Sequence, residues 1–153
     1  MLSFRVVMIL VWALLWVLSL ALPVVLMGAN PENAWRGIIV LMLGWFGIPM
    51  LQFSWLGNIT VWGVGVLTLL KDAPVAVRGG AALFQIGLAV QALFWDTVAD
   101  EGGLKSIEGF GSGYYVWLFV MFGSAVALLV FTGVDAKGGK RQARSAKAEP
   151  PIH

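Results

Sequence analysis

Cysteine is absent from this chain, which removes disulfide exchange, thiolate nucleophiles and Cys-ligated metals or clusters. Histidine occurs once, as the terminal His153. A haem held between paired histidines inside a bilayer is thereby excluded, and a His-based metal site or a Ser/His triad has no support. Charge is also scarce: 12% of the 153 residues carry it, for a formal net charge of +2. So small a surplus does not make nucleic acid the main partner. No catalytic residue, cofactor or metal ligand is expected, and the chain does not read as an enzyme.

What remains is apolar. Hydrophobic residues make up 59% of the chain and the mean hydropathy is +0.87, far above the balance of a soluble domain, which needs polar surface to cover itself. Several runs approach the ~20 apolar residues that span a hydrocarbon core of about 30 Å. The expectation is an all-α integral membrane bundle, residues 1–133, followed by a basic tail at 134–153 without apolar period, expected to be disordered and cytoplasmic.

Helices are expected at about 6–27, 54–70, 79–95 and 114–132. Residues 6–27 exceed the usual apolar length of a signal peptide, and Met27 makes a poor cleavage position, so the segment reads as a retained helix with Pro23 kinking its outer turn. No ionisable residue falls inside these four runs. The first carries none of the glutamate expected of a small multidrug exporter, and ion-coupled transport usually needs an intramembrane charge.

The stretch GWFGIPMLQFSWLGN, 44–58, decides the topology. A crossing at 37–51 would supply about 15 residues, or roughly 22 Å, and would bury the Gly44, Gly47, Pro49 break at mid-membrane, where irregular backbone is tolerated only against protein or a cavity. The segment 37–53 is therefore read as re-entrant or interfacial, which leaves four crossings. Arg5, Lys71, Arg78 and the basic tail then face the cytoplasm, and the acidic loop faces outward. Five crossings with an external N-terminus place as many basic residues inside and remain the alternative.

Two sets of residues stand out. Gln85, Ala89, Ala92 and Asp96 follow helical spacing on one face. With Gln52 and Asn58, the residues Gln85 and Asp96 form a candidate polar seam below the outer surface; ordinary helix packing is the competing reading. Gln91 lies on another face, within reach of Gln52, Asn58 or headgroups. Asp100, Glu101 and Glu108, in the glycine-rich outer loop, are candidate contacts for a partner. The loop fits neither a calcium-binding helix–loop–helix pattern nor a phosphate loop. Gly123 and Ala127 make a small-xxx-small pair, suited to packing within the bundle or against another subunit.

GWFG at 44–47, FSWLGN at 53–58 and GFGSGYYVWL at 109–118 together resemble a recurrent type of short bacterial multi-pass inner-membrane protein with no assigned activity. The resemblance covers roughly residues 5–132. It implies a cytoplasmic (inner) membrane and no catalytic residues to carry over. The functional expectation is a non-catalytic accessory subunit, assembly factor or immunity-type partner of a membrane complex, with the lipid bilayer and a membrane-protein partner or a second copy as its contacts. The alternative is a small transporter or lipid-binding protein that uses the dip as a gate.

Single cysteines on this cysteine-free background discriminate the topologies. Ser3→Cys and Ala73→Cys are expected to resist a membrane-impermeant thiol reagent in intact cells, and Ser106→Cys to react. External labelling at position 3 would establish five crossings.

Overall fold

The computed structural model describes residues 3–27, 34–100 and 103–148. It is 74% helical and 11% strand, so the all-α expectation requires a correction: β-structure gathers at one end of the bundle. The helices are α1 (Phe4–Ala21), α2 (Gly37–Leu43), α3 (Gly57–Leu69), α4 (Val75–Ala92) and α5 (Ser112–Ala148). Three of them, α1, α4 and the Ser112–Gly138 part of α5, are long and apolar enough to cross a membrane by length and composition. Ser54–Leu69, which joins a short 3-10 segment to α3, is apolar but shorter.

The ends of α1 follow from local chemistry. Ser3 caps it, its hydroxyl accepting from the Val6 N–H at 3.4 Å. The helix stops at Ala21 rather than kinking on to Met27. Proline at position 23 has no N–H to give and disfavours the helical conformation of Leu22, which is extended. Pro23–Leu26 instead form β1, whose Val24 and Val25 are buried. It pairs antiparallel with β2 (Trp35–Arg36) on one side and β5 (Gly109–Phe110) on the other. Within the outer loop, β3 (Thr97–Asp100) and β4 (Gly103–Ser106) form a separate antiparallel hairpin in which Val98 faces Lys105 and Ala99 faces Leu104.

Helix α4 is displaced from the expected 79–95. It starts directly after Pro74, a residue suited to a helix start because its ring presets φ. Arg78 therefore lies inside the helix and is only 1% exposed, although the sequence reading put it in a charged turn. The other end closes at Ala92, whose carbonyl accepts from the Trp95 N–H at 3.2 Å and from the Tyr114 hydroxyl at 2.8 Å, so that this acceptor of the helix terminus is satisfied. Helix α5 runs well past 132. The tail expected to lack structure is helical through Ala148, its Ala, Lys, Arg and Gln residues being good helix formers that need no apolar face.

Contacts between ends give the helix directions. Asp135, late in α5, pairs with Arg5 at the start of α1 and with Arg78 in the first turns of α4, the latter at 2.8 Å. Arg5 also donates to the Thr68 carbonyl at the end of α3, at 2.9 Å. Helices α1 and α4 thus run one way, α3 and α5 the other. α5 is central: it packs against α1, α3 and α4, with Val120, Met121, Ala125 and Leu128 fully buried. Gly123 admits the Trp12 ring of α1 so closely that a Cβ there would lie 2.3 Å from it. The Gly123–Ala127 pair therefore serves contact within the bundle.

The segment 37–53 returns to the end at which it starts. The Gly37 N–H donates to the Leu22 carbonyl just past the end of α1. Helix α2 then gives way to a 3-10 segment, Gly44–Met50, and the chain reverses at Leu51 in the left-handed region at φ 61. Gly44 lies under the Trp55 indole, where a Cβ would be 2.0 Å from the ring, and Trp55 donates to the Leu41 carbonyl at 2.7 Å.

Asp135 serves two guanidinium groups, one of them fully buried. Removing a single member of such a set strands the others. Asp135→Leu is expected to cost about 3–5 kcal/mol in equilibrium unfolding in detergent, and Arg78→Leu in the same chain to recover a measurable part of it. A double variant no more stable than the single one would show that burial of Arg78 is not the source of the loss.

Candidate functional site

The β-bearing end concentrates the polar side chains that the sequence reading singled out, and it is built on three side-chain amides. Asn58, in the first turn of α3, is buried. Its Oδ1 accepts from two indoles, Trp16 Nε1 of α1 at 3.1 Å and Trp117 Nε1 of α5 at 3.0 Å. Its Nδ2 donates to the Trp55 carbonyl at 3.1 Å. One side chain thus ties α1, α3 and α5 together, and its carbonyl oxygen has both lone pairs engaged.

Gln52 follows the chain reversal. Its Oε1 accepts from Trp95 Nε1 at 2.9 Å, and its Nε2 donates to the Thr97 hydroxyl at 3.2 Å. The reversal itself is held by Gln91, near the end of α4, which accepts from the Phe53 N–H at 2.8 Å and donates to the Leu51 carbonyl at 2.7 Å. Gln91 thereby supplies partners to two main-chain groups that the left-handed turn takes out of regular hydrogen bonding. Its position on a different face of α4 from Gln85 was visible in the sequence, but a main-chain partner was not.

The four seam residues are not one site. Gln52 and Asn58 both lie at this end but line different crevices, each shared with Trp95. Gln85 sits deeper, fully buried between α4 and α5, its Nε2 donating to the Met121 carbonyl at 2.8 Å and to the Ser124 hydroxyl at 2.6 Å. Its Oε1 finds no partner in the protein. Asp96 is exposed beyond the end of α4, and its main-chain carbonyl accepts from the Ile107 N–H at 2.8 Å. Asp96 therefore does not continue the helical face of Gln85, Ala89 and Ala92, because α4 ends at Ala92.

Of the outer-loop residues, Asp100 ends β3, Glu108 is exposed beside the Leu26–Glu108 main-chain contact, and Glu101 lies outside the described residues. Among the described residues no group of three or more His, Cys, Asp or Glu is placed to hold a metal ion. Between the ends of α1 and α2 and the starts of α3 and α5 lies a small crevice lined by Ser19, Val40, Trp55, Asn58, Trp95 and Trp117 among others. Ser19 donates to its own helix, to the Trp16 carbonyl at 2.6 Å, and the Asn58 Oδ1 accepts from two indoles, which leaves the second N–H of its Nδ2 without a protein partner.

The arrangement defines a helical bundle with an ordered cap at one end, in which indoles and amides pair with one another. Comparison with protein-family models, with curated proteins and with solved structures finds no match.

Asn58→Leu removes the acceptor of two indoles at once. Each stranded buried donor costs about 1–3 kcal/mol, so a loss of about 3 kcal/mol is expected in detergent unfolding, with a change in the near-UV tryptophan signal. Gln52→Leu, at a partly exposed position, is expected to cost less than half as much.

Proposed function

We propose that this protein is a non-catalytic multi-pass protein of the cytoplasmic membrane that acts as an accessory or assembly partner, presenting its capped end to another membrane protein on the outer face. The proposed topology has four crossings, α1, Ser54–Leu69, α4 and α5, with the 37–53 segment dipping in from outside. Its support is the return of that segment to one end of the bundle and the collection of Arg5, Arg78 and Asp135 at the other. Basic residues collect on the cytoplasmic side of membrane helices.

One observation carries the partner reading. The amides of the cap are spent on holding the chain to itself, while the β3–β4 hairpin, seated on the bundle through the buried Val98, leaves every residue of β4 exposed. Leu104 is 61% exposed. The surrounding 96–108 stretch has four carboxylates and one lysine. A rigid platform with an exposed strand edge is suited to main-chain pairing with a partner segment, and its charge favours a basic one.

A photo-crosslinking residue at position 104 is expected to yield one adduct of defined mass in intact cells, absent when the probe is at Phe84 on the side of the bundle. Asp96→Lys with Glu108→Lys is expected to weaken that adduct severalfold, and gentle-detergent purification to recover the same partner in stoichiometric amount. A monodisperse lone monomer, with no adduct from position 104, would refute the reading.

A further inference from the structure

The side of the bundle carries an opening unrelated to the cap. Helices α1 and α3 both pack on α5 but scarcely on each other, leaving between them a shallow crevice, open along the side of the bundle, whose lining includes Met8, Trp12, Trp62, Gly65, Thr68 and Ala127. The edge contact of Trp16 with Trp62, ring centroids 5.3 Å apart, closes the crevice toward the cap. Its hydroxyls are already spent: Thr68 donates to the Val64 carbonyl at 2.8 Å and Ser124 to the Val120 carbonyl at 2.6 Å. Apart from the Trp12 indole N–H, which is buried without a partner, the lining is apolar.

The opposite mouth is cationic. Arg5 reaches the Thr68 carbonyl there, with its guanidinium over the Phe131 ring at 4.5 Å. Arg5 and Arg78 share a single carboxylate, Asp135, so the cluster keeps a positive charge. Arg5 has five N–H donors, of which the Thr68 and Asp135 contacts engage two. The flanking charges visible from the sequence, Lys71, Asp72 and Lys137, add a further positive surplus.

We propose that the crevice is a phospholipid site: one acyl chain of an anionic lipid of the cytoplasmic leaflet lies between α1 and α3, and its phosphate is drawn to Arg5 at the mouth. The inference rests on the four-crossing reading, which sets the crevice at hydrocarbon depth and Arg5 at headgroup depth, and it is independent of any protein partner at the cap. Arginine suits the role because it offers several donors to a phosphodiester while its stem and ring contact remain in apolar surroundings.

The probe is a vesicle of equimolar phosphatidylglycerol and phosphatidylcholine, from which the protein is extracted in mild detergent and weighed intact by native mass spectrometry. The wild type is expected to retain one phosphatidylglycerol. A Cβ at Gly65 meets only the Ile9 methyl, at 3.8 Å, so Gly65→Leu fills the crevice without forcing the backbone. It is expected to lose retained lipid of both kinds about tenfold while keeping the wild-type thermal midpoint. Gly63→Leu, on open surface of the same helix with nothing within 4 Å, is expected to change nothing. Arg5→Gln is expected to keep the chain but reduce the preference for phosphatidylglycerol about fivefold. Arg5→Lys serves in its place if the glutamine variant does not fold, and should keep the preference. Unchanged retention in Gly65→Leu, equal loss in Gly63→Leu, or no headgroup preference in the wild type would each overturn the site. An internal Ser3 together with any of these results would leave the four-crossing reading standing.

Discussion

Two guanidinium groups meet one carboxylate at one end of this bundle, and much of its geometry depends on that arrangement. Asp135 draws the start of α1 and the first turns of α4 onto α5, and Arg5 adds the end of α3 through the Thr68 carbonyl. A charge buried as completely as Arg78 is tolerated only when paired. The pairing brings these helix ends together and gives the four long segments their alternating directions. It also explains why α4 begins earlier than its apolar run: the helix can absorb Arg78 because a partner from another helix waits for it.

The other end obeys the same rule with neutral groups. Where the chain leaves regular helix, it exposes main-chain donors and acceptors that an apolar environment cannot satisfy. Gln91 takes two of them at the reversal through Leu51, Tyr114 takes one at the end of α4, and the three-stranded sheet of β2, β1 and β5 takes those of Pro23–Leu26 and their neighbours. Asn58 performs the same service for side chains, accepting from two indoles that would otherwise be stranded. Tryptophans at this end therefore act as hydrogen-bond donors to the protein's own amides as well as apolar surface. The cap is ordered by internal pairing, which leaves its hairpin, and not its amides, to face outward.

Legibility from the sequence followed the physics of each feature. The apolar runs reported helices α1, α3, α4 and α5, because burial in an apolar phase depends on composition over about twenty residues and on little else. The Gly/Pro break of 37–53 marked irregular backbone, which takes the form of the 3-10 segment Gly44–Met50 and the left-handed Leu51. The strands were not visible: β1 and β5 are short, separated by over eighty residues, and exist as strands through pairing between distant parts of the chain. The end of α1 was misplaced because Val24 to Met27 are as apolar as the helix before them, so hydropathy alone does not register the stop at Pro23. The tail was misjudged for the converse reason, that a helix in water needs favourable residues but no apolar stripe.

The candidate residues divide in the same way. Sequence by itself determined the negative chemistry, with no thiol and no internal imidazole, and it identified Gln52, Asn58 and Gln85 as polar groups in apolar surroundings that must find partners. Which partners they find is a matter of distances between segments far apart in the chain. Asn58 meets Trp16 and Trp117, 42 and 59 positions away, and Arg78 meets Asp135 across 57. Helical spacing placed Asp96 on the face of Gln85, but only the folded chain decided that α4 ends at Ala92, whose carbonyl is taken by the Trp95 N–H and by a tyrosine from α5, and that Asp96 lies exposed beyond it. Local composition determines what each segment requires; the packing of α5 against its neighbours decides who supplies it.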